Sequence, residues 1–182
     1  MKEQDAHTKA LKTGTAAAIF AIVAAVILVL DRVSKLWAIA SIPSEGLDFI
    51  PGLIGFRLVF NRGASFGMLE GATLVFLAIS VVICVAIVVF LAKYKKHVVF
   101  EAVALGLLFA GAIGNAYDRL AYGQVTDFLN LEFMSFPVFN VADCAITVGV
   151  VLLAVFMVFS KNSPFAATKP ADGRSGGGRD GE

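Results

Sequence analysis

Four runs of apolar residues dominate this sequence, each long enough to cross about 30 Å of hydrocarbon at about 1.5 Å per residue. The first begins near Thr15, is uniformly apolar to Leu30, and is predicted to continue as helix through Asp31 towards Trp37. The second covers Ala72 to Ala92, the third Val98 to Tyr117 and the fourth Val141 to Phe159. An open-ended segment in lipid must satisfy its own backbone hydrogen bonds, so each run is expected to be a helix. Composition points the same way: 58% of residues are hydrophobic, only 16% are charged, and the mean hydropathy is +0.83. A soluble domain has about 25% charged residues, so this chain has too few polar groups to cover a water-facing surface. The expected fold is an all-α polytopic membrane protein with four transmembrane helices and a small β-sheet and loop region on the extracytoplasmic side. The length suits one compact domain, and a net charge of +1 argues against a nucleic-acid partner.

Lys2, Lys9 and Lys12 precede the first run, and Ala38-Ile39-Ala40 resembles a signal-peptide cleavage site. That site lies well past Leu30, beyond Asp31, Arg32 and Lys35, so the first span is expected to stay uncleaved. Basic residues set the orientation. Ten (Lys2, Lys9, Lys12, Lys93, Lys95, Lys96, Lys161, Lys169, Arg174 and Arg179) fall on one side, and five (Arg32, Lys35, Arg57, Arg62 and Arg119) on the other. The richer side is cytoplasmic, which places both termini and the 93–97 loop in the cytoplasm. The expected organisation is a cytoplasmic segment 1–14, a four-helix membrane domain 15–160, and a Gly-, Ser- and charge-rich cytoplasmic tail 161–182 that is predicted to be disordered. Two segments then face outward. Residues 41–71 contain the strand-like Phe56–Phe60 stretch, and residues 120–138 contain the alternating Gln124–Leu129 stretch, so a small sheet on the outer membrane surface is expected. Trp37 is expected to anchor the membrane interface. Gly106, Ala110, Gly111 and Gly114 are expected to permit close helix packing.

Ionisable groups near a bilayer are expensive and therefore candidates for function. Here they gather at one level: Asp31 at the outer end of the first helix, Asn115, Asp118 and Arg119 ending the third, Asp127 in the following strand, Asn140 and Asp143 opening the fourth, and Asn61 where the first outer segment turns back. Elimination narrows the reaction. The chain has no HExxH, and its two histidines, His7 and His97, fall on the cytoplasmic side, so neither a zinc site nor a Ser–His or Cys–His nucleophile is expected. No metal or other cofactor is expected. Cys84 and Cys144 read as small buried apolar residues. Carboxylates, amides and arginine remain, and two close carboxylates sharing one proton can hydrolyse an amide. Asn115-Ala116-Tyr117-Asp118 and Asn140-Val141-Ala142-Asp143 repeat one Asn-x-x-Asp spacing, in which each Asn could steady its Asp on a shared helix face. Asn140 suits an N-cap, which puts Asp143 at N3, where the helix dipole favours an anion. Asp143 is therefore the leading candidate, and spacing leaves Asp118, Asp127 and Asp31 tied as its partner.

Several blocks in order carry a family resemblance: Asp31-Arg32-Val33-Ser34-Lys35, Asn61-Arg62-Gly63-Ala64-Ser65-Phe66-Gly67, Gly114-Asn115-Ala116-Tyr117-Asp118-Arg119-Leu120, Val125-Thr126-Asp127-Phe128 and Phe139-Asn140-Val141-Ala142-Asp143. From Asp31 to Gly149 the chain resembles the type II, or lipoprotein, signal peptidases of bacterial inner membranes. Ser65 and Ser34 depart mildly from the usual Ala and Thr. The resemblance implies an aspartic endopeptidase that cuts diacylglyceryl-modified prolipoproteins just before the lipidated cysteine. One catalytic pair per chain makes a monomer among membrane lipids sufficient. The resemblance implies Asp127 and Asp143 as that catalytic pair. Asp31, Lys35, Asn61, Gly63, Asn115, Asp118, Arg119 and Asn140 are then the supporting and substrate-contacting shell. Plainer readings stand beside these. Asp118 and Arg119 form a helix-end ion pair, Asp31 bonds to backbone at the membrane boundary, and Gly63 and Gly67 permit close approach to the second helix. The rival functions are a small transporter or channel with a carboxylate proton relay, or a structural assembly factor. A relay would place acids near the bilayer midplane, where stretches such as Val81–Val85 carry none.

Overall fold

The computed structural model describes residues 11–63, 72–95 and 97–159. Among these residues, four helices are long and apolar enough to span a membrane. They are α1 (Thr13–Ser41), α2 (Thr73–Lys93), α3 (Val99–Tyr122) and α4 (Val141–Phe159). The strands are β1 (Leu47–Ile50) and β2 (Ile54–Asn61), between α1 and α2, and β3 (Val125–Leu131), between α3 and α4. The expected tail 161–182, His7, Lys96 and the Ala64–Gly67 part of one motif lie outside the described residues.

Position within the bundle separates helices of similar length. In α3, 61% of the apolar stretch is buried, against 11%, 17% and 22% in α1, α2 and α4. It is the central helix, packed most extensively on α4 and α1 and less on α2. Small residues make this possible. A Cβ at Gly106 would lie 3.0 Å from the Phe20 carbonyl oxygen on α1, and one at Gly111 would lie 2.5 Å from the Ala142 carbonyl oxygen on α4. Lipid gives helices no hydrophobic reason to associate, so close backbone approach supplies the packing attraction. The predicted small-residue seam is this contact.

The third helix runs five residues past the expected Tyr117 end. It stops at Tyr122, where Gly123 adopts φ +70° and donates its N–H to the Arg119 carbonyl. Asp118 and Arg119 therefore lie in the helix, about one turn before its end. With 29 residues, α1 is about 44 Å long and outreaches the hydrocarbon.

The sheet packs on the end of α1. Ala38 and Ile42 meet Phe128, Phe56 and Leu58, and Trp37 stands edge-on to Phe56 at 5.1 Å and Phe128 at 6.3 Å. Trp37 thus clamps the sheet as well as remaining 41% exposed. The sheet is antiparallel in the order β1-β2-β3. β1 was not anticipated: its Leu-Asp-Phe-Ile carries no alternation of burial, and only pairing with β2 makes it a strand. A bulge between Phe56 and Val59 shifts the β2–β3 register, after which Val59 pairs with Asp127 and Asn61 with Val125. Asn61 and Asp127 are consequently diagonal neighbours on one face, within side-chain reach. After β3 the chain returns to pair Phe139 with Leu129, so Asn140 begins α4 beside the strand that carries Asp127.

Candidate active site

The polar side chains gathered by these elements make one continuous network at a single end of the bundle. Asp127, 2% exposed, accepts from Asn61 Nδ2 on Oδ2 (3.0 Å) and from Asn140 Nδ2 on Oδ1 (2.6 Å). Asp143 accepts from Asn115 Nδ2 on Oδ1 (2.8 Å) and from the Asn140 backbone N–H on Oδ2 (3.1 Å). Asn140 therefore holds both aspartates. Its Oδ1 also accepts the Asp143 N–H at 3.0 Å, which completes a reciprocal cap at the start of α4. The N-cap and N3 positions expected from spacing are those observed.

A second layer stands behind the first. Asp31 accepts the Ala142 N–H at 3.1 Å, taking up another free amide of the α4 N-terminus. Its other oxygen pairs with Lys35 at 3.0 Å, and Lys35 also reaches Asp118 at 3.2 Å. Asp118 binds Arg32 at 2.8 Å and accepts the Thr126 N–H at 3.1 Å, fixing the start of β3 to α3. Gly114 leaves room for this arrangement, since a Cβ there would lie 2.6 Å from Asp31 Oδ2. The expected Asp118–Arg119 ion pair is replaced by these contacts. Arg119 turns the other way, donating to the Gly63 carbonyl at 3.2 Å and lying over the Phe76 ring of α2 at 4.7 Å. Gly63, whose N–H donates to Asn61 Oδ1 at 2.9 Å, is thereby tied to α3.

A cavity of about 540 Å³ opens over the inner layer. Asn61, Gly63, Asn115, Arg119, Asp127 and Asp143 line it, whereas Asp31, Lys35, Asp118 and Asn140 lie behind its wall. The opposite wall is apolar and comes from Phe136, Pro137, Val138 and Phe139 with Ile146 and Val148 of α4. Cys144 and Thr147 also line it. Cys144 was read as a buried apolar residue and is instead half-buried at the cavity. The helical spacing of 144, 147 and 148 from Asp143 held a signal for this face, but only the position of the 132–140 loop identifies it as a wall. At the far end of the bundle, buried His97 contacts Glu101 at 3.0 Å. Glu101 and Asn115 share α3, 14 residues or about 21 Å apart, so His97 is remote from the cavity.

Burial and the nearby Asp143 charge push the Asp127 carboxyl up from 3.8 to about 6. The Asn61 and Asn140 hydrogen bonds and the Lys35 charge oppose the rise without cancelling it. A carboxyl poised at such a value can hold or release a proton near neutrality.

The sequence pattern of a family described as signal peptidase (SPase) II matches residues 23–159. The chain belongs to the signal peptidase II family. The lipoprotein signal peptidase of Enterococcus faecalis is 35% identical over 146 residues, covering 80% of this chain and 91% of that protein. That of Pseudomonas aeruginosa is 40% identical over 149 residues, covering 78% and 88%. A solved structure described as a bacterial membrane enzyme, obtained by the in meso method at 2.3 Å resolution, superposes with a TM-score of 0.73 at 31% identity. It covers 87% of this chain and 94% of its own. Signal peptidase II is a peptidase, and membership does not favour the transporter reading. All the motif blocks that carry the resemblance fall within the matched region.

Proposed function

We propose that this chain is the membrane peptidase that removes signal peptides from diacylglyceryl-modified prolipoproteins, cutting before the lipidated cysteine with an Asp127–Asp143 dyad. One observation carries the dyad: carboxyls from β3 and from the first turn of α4 line one cavity and are held through the same asparagine, Asn140. Both carboxyls receive only donors from the protein. A proton on either one therefore points into the cavity, where the scissile carbonyl would lie. The ionised carboxyl takes a proton from water as the water oxygen attacks the carbonyl carbon. The protonated carboxyl polarises the carbonyl oxygen and then passes its proton to the departing amine as the C–N bond breaks. Asn61, Asn115 and Asn140 hold the geometry, and Arg119 faces both acids across the cavity. One chain supplies every group, so a monomer suffices.

The excess of basic residues at the termini and at 93–97 supports an orientation with both termini cytoplasmic and the cavity near the extracytoplasmic face. In an otherwise cysteine-free protein, Lys95→Cys should be labelled by impermeant thiol reagents only from the cytoplasmic side. Labelling from outside intact cells would reverse the topology. Acyl chains contribute about 0.8 kcal/mol per buried CH₂, and they hold the scissile bond at the depth of the carboxyls. The substrate test compares two precursors that differ only in the lipid on the cysteine. The lipidated form should be cut and the unmodified form hardly at all; equal rates would show that the lipid is not recognised.

A further inference from the structure

Lys35 is completely buried, lies outside the cavity, and among the described residues is the one cation bonded to a side-chain amide of the layer holding the aspartates. Its Nζ donates to Asn115 Oδ1 at 3.1 Å as well as pairing with Asp31 and Asp118. An ammonium can only donate, so the Asn115 atom facing Lys35 must be its oxygen. The Asn115 NH₂ is then turned to Asp143 at 2.8 Å. The same oxygen accepts Asn140 Nδ2 at 3.1 Å, and that NH₂ also donates to Asp127. The direction of the side-chain bonds made by Asn115 and Asn140 thus follows from one ammonium, whereas Asn61 is oriented separately by the Gly63 N–H. Reversing the Asn115 amide would set NH₂ against both Lys35 and Asn140 and leave Asp143 facing an oxygen.

We propose that Lys35 is a positioning residue for peptide hydrolysis: it fixes the polarity of the Asn115–Asn140 amide pair, so that this pair offers only donors to the two aspartates. The inference rests on the dyad reading. The shared proton is thereby kept on the cavity side, available to substrate. The charge cluster behind the wall is balanced, with Lys35 and Arg32 against Asp31 and Asp118. Removing Lys35 alone would leave a buried acid uncompensated and risks misfolding. The informative variant is therefore the charge-balanced pair Asp31→Asn with Lys35→Met, which retains Asp118 with Arg32.

The test is steady-state and single-turnover cleavage of a lipidated precursor by the purified full-length enzyme, with thermal unfolding of each variant. The double variant should unfold near the wild-type temperature, keep its KM, and lose kcat by about 10²-fold, as expected when a distant support is lost. Its kcat/KM should also hold to higher pH. The charged groups around Asp127 are Asp143 on α4, Arg119 on α3 and Lys35 on α1, and loss of Lys35 removes a charge that favours the ionised acid. A role confined to stability would leave kcat and the pH profile of a folded double variant unchanged, and that result would overturn the proposal. Should the double variant fail to fold, Asn115→Ala removes both the acceptor for Lys35 and the donor to Asp143 without adding a charge. It should be folded and similarly impaired; a folded variant at the wild-type rate would overturn the proposal. Asp127→Asn and Asp143→Asn serve as controls. If either is folded and active, the dyad itself is wrong; if both are dead beside a fully active double variant, only the Lys35 inference falls.

Discussion

Asn115-x-x-Asp118 lies within a long central helix, whereas Asn140-x-x-Asp143 opens one, and the same spacing serves different ends in the two places. At 140–143 the backbone amides are free, so Asn140 and Asp143 satisfy each other's N–H groups and form a local unit. At 115–118 the amides are already used within α3, and neither side chain needs the other. Asn115 reaches out to Asp143 and Asn140, while Asp118 reaches to Arg32 and Lys35 of α1 and to the Thr126 N–H. The two side chains of the first motif meet only through Lys35. Equal spacing therefore means equal function only where the backbone around it makes equal demands.

The largest effects should separate the aspartates. Asp127→Asn and Asp143→Asn should each lower single-turnover cleavage by about 10⁴-fold or more in folded protein, with the double variant hardly worse, because the pair acts as one unit. A folded, active Asp127→Asn beside a folded, dead Asp118→Asn would move the dyad to the first motif. The asparagines should differ by less. Asn140→Ala loses the bridge to Asp127 and the helix cap, for about 10²-fold in rate and about 1 kcal/mol in stability. Asn115→Ala should match the rate loss without the capping cost, and equal stability losses would erase the distinction between the motifs. Asp118→Asn should cost about 3 kcal/mol by unfolding in detergent, since it leaves buried Lys35 and partly exposed Arg32 short of an anion, yet retain turnover within about 10-fold.

Smaller effects concern protons and metals. The dyad requires one protonated carboxyl, so kcat/KM should decline as pH rises through the pair's upper value, which for the Asp127 carboxyl is about 6. The Asn61 hydrogen bond favours the ionised form. Asn61→Ala should therefore raise that value and move the declining limb to higher pH; a downward shift would reverse the assigned role. Chelators should have no effect on the rate. Loss of activity on chelation, restored by zinc, would sink the dyad mechanism.

How much of this was legible before folding depended on the range of the interaction. The four spans follow from runs of apolar residues in the chain itself, because every backbone group in lipid must be satisfied locally, and α2 and α4 begin and end within two residues of the sequence expectation. The N-cap at Asn140 is equally local. The extra turns of α3 depended on Gly123 adopting a positive φ and on Asp118 finding partners in α1 and β3. Spacing left Asp31, Asp118 and Asp127 tied as partners for Asp143, and the family motifs alone favoured Asp127. The fold separates them by placement. Asp31 and Asp118 are consumed by cations and backbone amides behind the cavity wall, and Asp127 faces the cavity. That placement rests on a bulge in β2, the return of Phe139 to β3 and the close α1–α3–α4 packing, contacts between residues up to 111 positions apart. Hydropathy and capping act over a few residues, and so the sequence alone determined the spans, the polar end and the candidate acids. Which acid meets which partner depends on long-range packing, and only the tertiary structure decided it.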